Sequence, residues 1–220
     1  MIFLASQSPQ RARLLRKAGV RFAVVMSECN EEVIQHPQPQ VLAVERARGK
    51  ARGARIDQVI SRHLPALTDP GSPEVILAAD TIAALGTTIV GKPRDEADAI
   101  RILTLLQGTT HTVITGHSCL QLDGKGGILG EAVGVALAKV TMRSMSPEEI
   151  RGYVETGEGA RCSGGYAIQE TGDRFIVDLQ GSWDTVVGLS LSTVARLYRE
   201  CTDTPLPGYD PAFKLAKDSP

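Results

Sequence analysis

The feature that most constrains this chain is an uninterrupted apolar run at residues 75–79. Such a run is typical of a β-strand that is covered on both faces, so it predicts a sheet with further layers packed against it. Asp80 follows the run directly. A carboxylate at the end of a buried strand, or inside it, is costly unless it is paired or used. Asp80 can hold Mg²⁺ or accept a proton from water, and it can equally satisfy a turn at the strand end.

Strand and helix patterns alternate around this run. Further strands are predicted over residues 2–5, 22–26, 111–122, 132–142, 166–168 and 175–179. Helices are predicted over residues 10–18, 41–60, 95–106 and 189–201, with another beginning in a capping box at Ser146. The turn at 123–127 favours a hairpin of the two long strands. This order is typical of an α/β or α+β fold with a mixed sheet.

Length, charge and cysteine usage narrow the class of protein. The 220 residues suffice for one large domain or a domain with two lobes. The 24 basic and 25 acidic residues nearly cancel, which argues against a general nucleic-acid binder. The sequence has no apolar run near the length of about 20 residues that spans a bilayer and no secretory signal. The four cysteines are scattered singly, as expected of free thiols in the cytoplasm.

A polar turn after the first predicted strand is the first candidate site. It contains Ser6, Ser8, Gln10 and Arg11 and leads onto a helix. The first amides of a helix lack intrahelical partners, and the helix dipole favours an anion there. Taken alone, the commoner explanation is an ordinary strand–turn–helix with a serine cap. The turn is not a P-loop, because the chain contains no Gly-Lys-Ser/Thr.

Other candidate residues carry weaker local signals. Lys92 lies between a glycine that permits close approach and a proline that fixes the chain direction, so it can meet a phosphate as a point charge. A solvated turn lysine is nevertheless commoner. Lys50 lies on an arginine-rich predicted helix and Glu31 in an acidic loop. The four histidines show no metal-ligand spacing and are interpreted as structural or exposed. Together, an anion site, two carboxylates and several cations favour phosphoanhydride chemistry over redox or acyl transfer.

In these residues the chain resembles the Maf family of nucleoside triphosphate pyrophosphatases. Its matching blocks, in the family's order, are residues 4–11 with Leu14, Leu15 and Gly19, then Glu31, Lys50, 79–81, 91–93, 106–108, 111–113, 115–116, 164–169 and 186–189. Each block is a weak signal alone, but the ordered set covers about nine-tenths of the chain and is highly specific.

The resemblance implies a two-lobed α/β fold, in which helices flank a long mixed β-sheet and a cleft separates the lobes. One such domain is expected over residues 1–201, followed by a loosely ordered tail over residues 202–220. The implied reaction is hydrolysis of nucleoside triphosphates to the monophosphate and pyrophosphate, with Mg²⁺ or Mn²⁺ as cofactor. By position, Asp80 would be the catalytic proton acceptor, and Glu31 and Asp80 would hold the metal.

The remaining matches imply the substrate contacts. The triphosphate would be gripped by Ser6, Arg11, Lys50 and Lys92, with Ser8 and Gln10 in the same turn. Thr81 and Gln169 would lie near the base, and they match the family branch that prefers dTTP and UTP. The expected partner is a small nucleoside triphosphate, with no nucleic acid and no membrane, and a homodimer is compatible with the sequence.

The chain departs from the family pattern in three places. Gln10 stands where the family has the first of two arginines, which puts the base preference in question. Cys162 stands where it has a lysine, with Arg161 nearby as a substitute phosphate contact. The loop at residues 61–74 is longer than expected. A second hypothesis is a nucleotide-binding regulator of cell division and septum formation, which would not need Asp80.

Overall fold

The computed structural model describes residues 1–55 and 72–213. The strands are β1 (Ile2–Ala5), β2 (Ala23–Val25), β3 (Glu74–Leu85), β4 (Thr88–Val90), β5 (Thr110–Leu122), β6 (Ile128–Met142) and β7 (Ile176–Gln180). The α-helices are α1 (Pro9–Lys17), α2 (Pro39–Arg52), α3 (Glu96–Leu106), α4 (Pro147–Glu155), α5 (Trp183–Val187) and α6 (Leu191–Thr202). Short 3₁₀ turns occur at Glu31–Val33 and Thr171–Phe175.

The seven strands form one mixed sheet. Its order is β2-β1-β3-β5-β6-β7, and β4 pairs with β3. β1 is parallel to both β2 and β3, whereas the β3–β4 and β6–β7 pairs are antiparallel. β5 and β6 are neighbours joined by only five residues, too few for a parallel crossover, so they form the predicted hairpin. The predicted α/β fold with a mixed sheet and flanking helices is confirmed.

Side-chain caps explain where several helices begin. The hydroxyl of Ser8 accepts a hydrogen bond from the Arg11 amide at the start of α1. Ser146 and Glu149 form the predicted capping box at α4. Asp95 and Ser190 cap α3 and α6 in the same way. Each cap satisfies an amide that the helix leaves without an intrahelical partner.

The chain divides into two compact units. Among the described residues, the first unit consists of those up to Asp80, Thr115–Ala136 and those from Gly188 onward, and the second of Thr81–Ile114 and Leu137–Val187. One buried cluster of the first unit contains Phe3, Ala5, Val25, Ala51, Ile76, Ala78, Leu120 and Leu122. The core of the second unit includes Ala83, Ile102, Leu103, Leu106, Val140, Tyr153 and Phe175.

Some predicted element boundaries are wrong. β3 continues to Leu85, beyond the predicted end at residue 79, so of the two positions considered for Asp80 the one inside the strand is correct. α2 ends at Arg52 with Gly53 as its C-cap, and the predicted helical residues 56–60 lie outside the described residues. No strand forms at 166–168, because the Ala167 amide donates to the Tyr153 hydroxyl at 2.9 Å instead of to a neighbouring strand. The short helix α5 was not predicted.

Two further properties bear on the sequence-based expectations. All four cysteine thiols are free. Among the described residues, no helix combines the length and apolar character needed to cross a membrane.

Candidate active site

An ion-pair cluster in the first unit forms the centre of the candidate site. The Nζ of Lys50, on α2, lies 2.7 Å from Oδ1 of Asp80 on β3. The same Nζ lies 3.0 Å from Oε2 of Glu31, in the turn that follows β2. One ammonium group therefore bridges two carboxylates from different parts of the chain.

Burial sets this cluster apart from an ordinary surface ion pair. Lys50 is 8% exposed and Asp80 is 3% exposed, whereas the side chain of Glu31 is 33% exposed. Buried charges are stable only when they are paired, and Lys50 pairs with Oδ1 of Asp80. Within residues 1–55 and 72–213, Oδ2 of Asp80 is buried and has no hydrogen-bond donor. An enclosed oxygen of this kind calls for a ligand, a metal or a water.

Close packing of α2 on the sheet determines where Lys50 lies. A Cβ atom at Gly116, on β5, would lie 2.3 Å from the carbonyl carbon of Ala43 on α2. Only glycine permits this approach of helix and strand. Lys50 lies about two turns further along the same helix, so a larger residue at Gly116 would displace the helix that carries the ammonium group.

The segment that carries Glu31 is bonded to the end of α2. The Ser27 hydroxyl donates to the carbonyl oxygen of Lys50 at 2.8 Å and accepts from the Cys29 amide at 3.2 Å. The Glu28 amide donates to the Gly53 carbonyl at 2.9 Å. These bonds hold Glu31 beside Lys50 although the two residues lie on different elements.

The turn between β1 and α1 is also ordered internally. The Ser8 amide donates to the Ser6 hydroxyl at 3.2 Å, and the Ser8 hydroxyl donates to Oε1 of Gln10 at 3.0 Å. Nη1 of Arg11 donates to the Ser6 hydroxyl at 3.2 Å, and its Nε donates to the carbonyl oxygen of Gly188 at 2.8 Å. The four residues of the predicted anion site therefore form one hydrogen-bonded turn.

Electrostatics links Arg11 to the carboxylates. Burial lowers the pKa of the Arg11 guanidinium, and the negative charges of Asp80 and Glu31 oppose this shift. Arg11 is therefore near enough to both carboxylates to interact with them. Within the first unit, the turn of Ser6, Ser8, Gln10 and Arg11 is thus connected with the cluster of Glu31, Lys50 and Asp80 through Arg11.

The other three predicted site residues belong to the second unit. The Thr81 carbonyl accepts a hydrogen bond from the Ser163 hydroxyl at 2.8 Å. The Gly164 amide donates to the carbonyl of Gly91, the neighbour of Lys92, at 3.1 Å. The loop that carries Cys162 is therefore hydrogen-bonded to Thr81 and to Gly91, the residue before Lys92.

Lys92 and Gln169 differ from the residues of the cluster. Lys92 is exposed, and its ammonium forms no ion pair with the part of the chain that the structure describes. Gln169 is half-buried, and no described residue hydrogen-bonds to its side-chain amide. Burial raises the pKa of the Cys162 thiol, and the charge of Lys92 opposes that shift. Cys162 therefore lies near Lys92 as an uncharged thiol in place of the family's lysine, whereas Arg161 is exposed.

Two residues beside this site carried no local signal in the sequence. Gly188 accepts the hydrogen bond from Arg11, and the buried Nε2 of His117 accepts one from the Ser190 amide at 3.0 Å. Gly188 could have been noticed because it lies in the last block that resembles the family.

The extended loop predicted at residues 61–74 lies largely outside the described residues.

The donor set fits the metal that the resemblance implies. Mg²⁺ is usually held by one or two carboxylates together with substrate phosphates. Glu31 and Asp80 supply two carboxylates, and Oδ2 of Asp80 lacks a partner among the described residues. No group of three or more His, Cys, Asp or Glu side chains suited to a metal occurs in the described ranges. This arrangement fits a hard cation that binds together with phosphate oxygens.

Comparison with known proteins establishes the family. The model of the family described as Maf-like protein matches residues 1–201. Because this match covers most of the chain, the protein belongs to the Maf-like family.

Individual relatives carry a more specific name. A protein of Anaeromyxobacter dehalogenans (strain 2CP-C) is 38% identical over 211 residues, which cover 96% of this chain and 98% of the relative. A protein of Methylobacillus flagellatus is 35% identical over 200 residues, covering 91% and 92%. A protein of Carboxydothermus hydrogenoformans is 36% identical over 200 residues, covering 90% and 96%. Each is named dTTP/UTP pyrophosphatase.

Proposed function

We propose that this chain is a nucleoside triphosphate pyrophosphatase that hydrolyses dTTP and UTP to the monophosphate and pyrophosphate. The observation that carries the proposal is the buried cluster of Lys50, Asp80 and Glu31, in which one Asp80 oxygen lacks a donor among the described residues. Relatives that are 35–38% identical and are named for this reaction support the same activity.

Asp80 is the group that accepts the proton of the attacking water. Lys50 occupies Oδ1 and compensates the buried negative charge, which leaves Oδ2 to face the water or the metal. As the water oxygen bonds to phosphorus, the bond to the bridging oxygen breaks and pyrophosphate leaves. General-base assistance of this kind contributes about 10²–10⁴ in rate.

Cations and hydroxyls of the first unit bind the phosphates in this proposal. The guanidinium of Arg11 is held on two sides, by the Ser6 hydroxyl and the Gly188 carbonyl, so its donors are fixed before substrate arrives. Pre-oriented charge of this kind stabilises a transition state without reorganisation. The exposed ammonium of Lys92, in the second unit, is a further proposed phosphate contact.

Glu31 and Asp80 would hold the metal in the same proposal. A bound Mg²⁺ or Mn²⁺ supplies Lewis-acid neutralisation of the phosphate charge and alignment for in-line displacement. Glu31 supplies the second carboxylate next to Asp80, and its side chain is still one-third exposed.

Thr81 and Gln169 are the proposed contacts to the base. A glutamine amide offers one donor group and one acceptor, which can pair with the edge of a uracil or thymine. A site that hydrogen-bonds a base edge rejects bases with the wrong donor–acceptor pattern, because its polar groups are then left unpaired. The side-chain amide of Gln169 has no partner among the described residues and is free to make this contact in the proposal.

A panel of nucleotides tests the proposed reaction. Purified protein is incubated with dTTP, UTP, dCTP, dATP or dGTP in the presence of Mg²⁺ or Mn²⁺, and phosphate is measured with and without added inorganic pyrophosphatase. We expect phosphate only after pyrophosphatase is added, the highest rates with dTTP and UTP, and no turnover with a chelator. Orthophosphate released without pyrophosphatase would identify a different phosphatase reaction.

The same panel distinguishes the regulatory hypothesis. A nucleotide-binding regulator of cell division would bind triphosphates tightly without turning them over. We place the reaction in the cytoplasm, where the nucleotide pool lies, and a homodimer is an expectation that sedimentation of the purified chain would test.

A further inference from the structure

A chain of contacts runs from a buried histidine to Arg11 within the first unit. His117, on β5, is fully buried, and its Nε2 accepts a hydrogen bond from the Ser190 amide at 3.0 Å. Two residues earlier, the Gly188 carbonyl accepts from Nε of Arg11 at 2.8 Å. Three separate segments of sequence therefore meet at this point.

The short segment between these two bonds has little freedom to move. Leu189 lies between Gly188 and Ser190 and is fully buried. Ser190 caps α6 by accepting from the Thr193 amide at 3.4 Å. Gly188 has φ of +119°, a conformation that side chains with a Cβ rarely adopt. The orientation of the Gly188 carbonyl therefore depends on the bond that fixes Ser190.

A histidine that is fully buried within β5 must be stabilised by the groups that contact it. Burial and then the positive charge of Arg11 lower the pKa of His117 to about 3, so the ring is neutral near pH 7. Because the Ser190 amide donates to Nε2, this nitrogen carries no proton and acts as the acceptor. A leucine would fill the same volume but leave the Ser190 amide without this partner.

We infer that His117 is a positioning residue, which holds the 188–190 segment so that the Gly188 carbonyl orients Arg11 toward the phosphates of the substrate. The inference rests on the proposed function of Arg11 as a phosphate contact. His117 itself touches neither substrate nor metal in this arrangement. Its effect is transmitted through Ser190, Gly188 and Arg11.

A double-mutant cycle tests this inference. The variants are His117→Leu, His117→Gln, Arg11→Ala and the double variant of His117→Leu with Arg11→Ala. Affinity for a non-hydrolysable α,β-methylene analogue of dTTP is measured by calorimetry in the presence of Mg²⁺, and melting temperatures are recorded beside it. Loss of a hydrogen bond that orients a charged group should raise Kd about tenfold in His117→Leu. His117→Gln, which keeps an acceptor near the position of Nε2, should bind nearly as well as wild type.

The decisive comparison is with the Arg11→Ala background. If His117 acts through Arg11, adding His117→Leu to Arg11→Ala should change Kd less than twofold. Equal losses in both backgrounds, or an equal loss in His117→Gln, would overturn the inference and leave a structural role. If His117→Leu does not fold, Gly188→Ala is measured in its place with the same expectations, since it shifts the same carbonyl.

Failure of the proposed function would give a different result. Binding of the analogue without hydrolysis of dTTP would reject the enzymatic activity and leave the cycle interpretable. If dTTP is hydrolysed but the effects of His117→Leu and Arg11→Ala on binding are additive, only the role of His117 is rejected. No binding of the analogue to the wild type would reject both.

Discussion

The two compact units hold their motif residues in different ways. In the first unit, Lys50 bridges Asp80 and Glu31, and Arg11 is fixed by two hydrogen bonds. In the second unit, Lys92 is exposed without an ion pair to any described residue, and the amide of Gln169 lacks a described partner.

This difference matches two kinds of task. A reaction centre gains from charges that are already oriented, because no reorganisation is then needed in the transition state. A recognition surface gains from polar groups that are satisfied only by the correct ligand, because a wrong ligand leaves them unpaired. In the proposed function, the first unit therefore supplies the reaction centre, and the second supplies the groups that select the substrate.

Asp80→Asn, in the first unit, should cause the largest loss of activity. The variant keeps the shape of the side chain but cannot accept the proton of water, so kcat should fall by about 10²–10⁴. Hydrolysis is measured by pyrophosphate release from dTTP. Asp98→Asn is the matched control, because Asp98 is also buried and paired with arginines but lies on α3, and it should retain activity. An Asp80→Asn enzyme within a few-fold of wild type would remove Asp80 from the mechanism.

Lys50→Met should cost stability as well as activity. It leaves the buried Asp80 carboxylate without its cation, and breaking a buried ion pair from one side costs about 3–5 kcal/mol. Chemical denaturation measures the loss. Combining Lys50→Met with Asp80→Asn removes both charges and should recover part of the stability but no activity. If the double variant is no more stable than Lys50→Met alone, the cluster is not the source of the loss.

The same residues show which parts of the site can be predicted from the sequence. Asp80 is predicted from a local signal, because its carboxylate directly follows an apolar run. Lys50 and Glu31 had no local signal and were found only through the family resemblance. Their role depends on the packing of α2 against Gly116 and on the bonds of Ser27, and neither contact can be derived from the sequence near Lys50.

His117 shows where prediction from sequence ends. Its hydrogen-bond partner Ser190 lies 73 positions away, and nothing in the surrounding residues indicates it. The extension of β3 past residue 79 was missed for a related reason. Asp80 looked like a strand end because a carboxylate there is costly, but Lys50 compensates the charge inside the strand.

Among the described residues, each unit contains one buried histidine, His117 in the first and His111 in the second, so the stability of both units should depend on pH. Burial lowers the pKa of His111 to about 4, and burial together with the Arg11 charge lowers that of His117 to about 3. The unfolded chain binds protons at both residues below its ordinary histidine pKa near 6.5, so stability is full above that pH and falls as pH decreases. At pH 5 the loss should be about 2 kcal/mol for each histidine.

Unfolding free energies between pH 8 and pH 5 check this expectation. His111→Gln and His117→Gln should each flatten the acid limb by a similar amount, although each variant starts from its own stability at pH 8. An acid limb with the same slope in wild type and both variants would show that other groups cause it.

Lys92→Ala tests the second unit's contribution to phosphate binding. A charge-assisted contact made equally in the ground and transition states affects KM more than kcat. We expect KM for dTTP to rise about tenfold, with little change in kcat. Lys125→Ala, at an exposed lysine in the β5–β6 turn, removes the same charge elsewhere and should leave KM unchanged. A loss in kcat alone would place Lys92 in the chemical step and weaken the division of roles between the units.

The smallest effect is expected at Gln10, the residue of the first unit that departs from the family pattern. Its Oε1 accepts from the Ser8 hydroxyl at 3.0 Å, a bond that an arginine cannot make because it has no acceptor. Gln10→Arg restores the family's residue and frees the Ser8 hydroxyl, so we expect the preference for dTTP and UTP over dCTP to increase about fivefold, as for one hydrogen bond. Gln7→Arg adds the same charge at an exposed position of the same turn and should not change the ranking. The measurement is kcat/KM for each triphosphate. A wild type that prefers a purine triphosphate, with an order that Gln10→Arg leaves unchanged, would contradict the assignment. Base selection would then depend neither on Gln10 nor on Thr81 and Gln169.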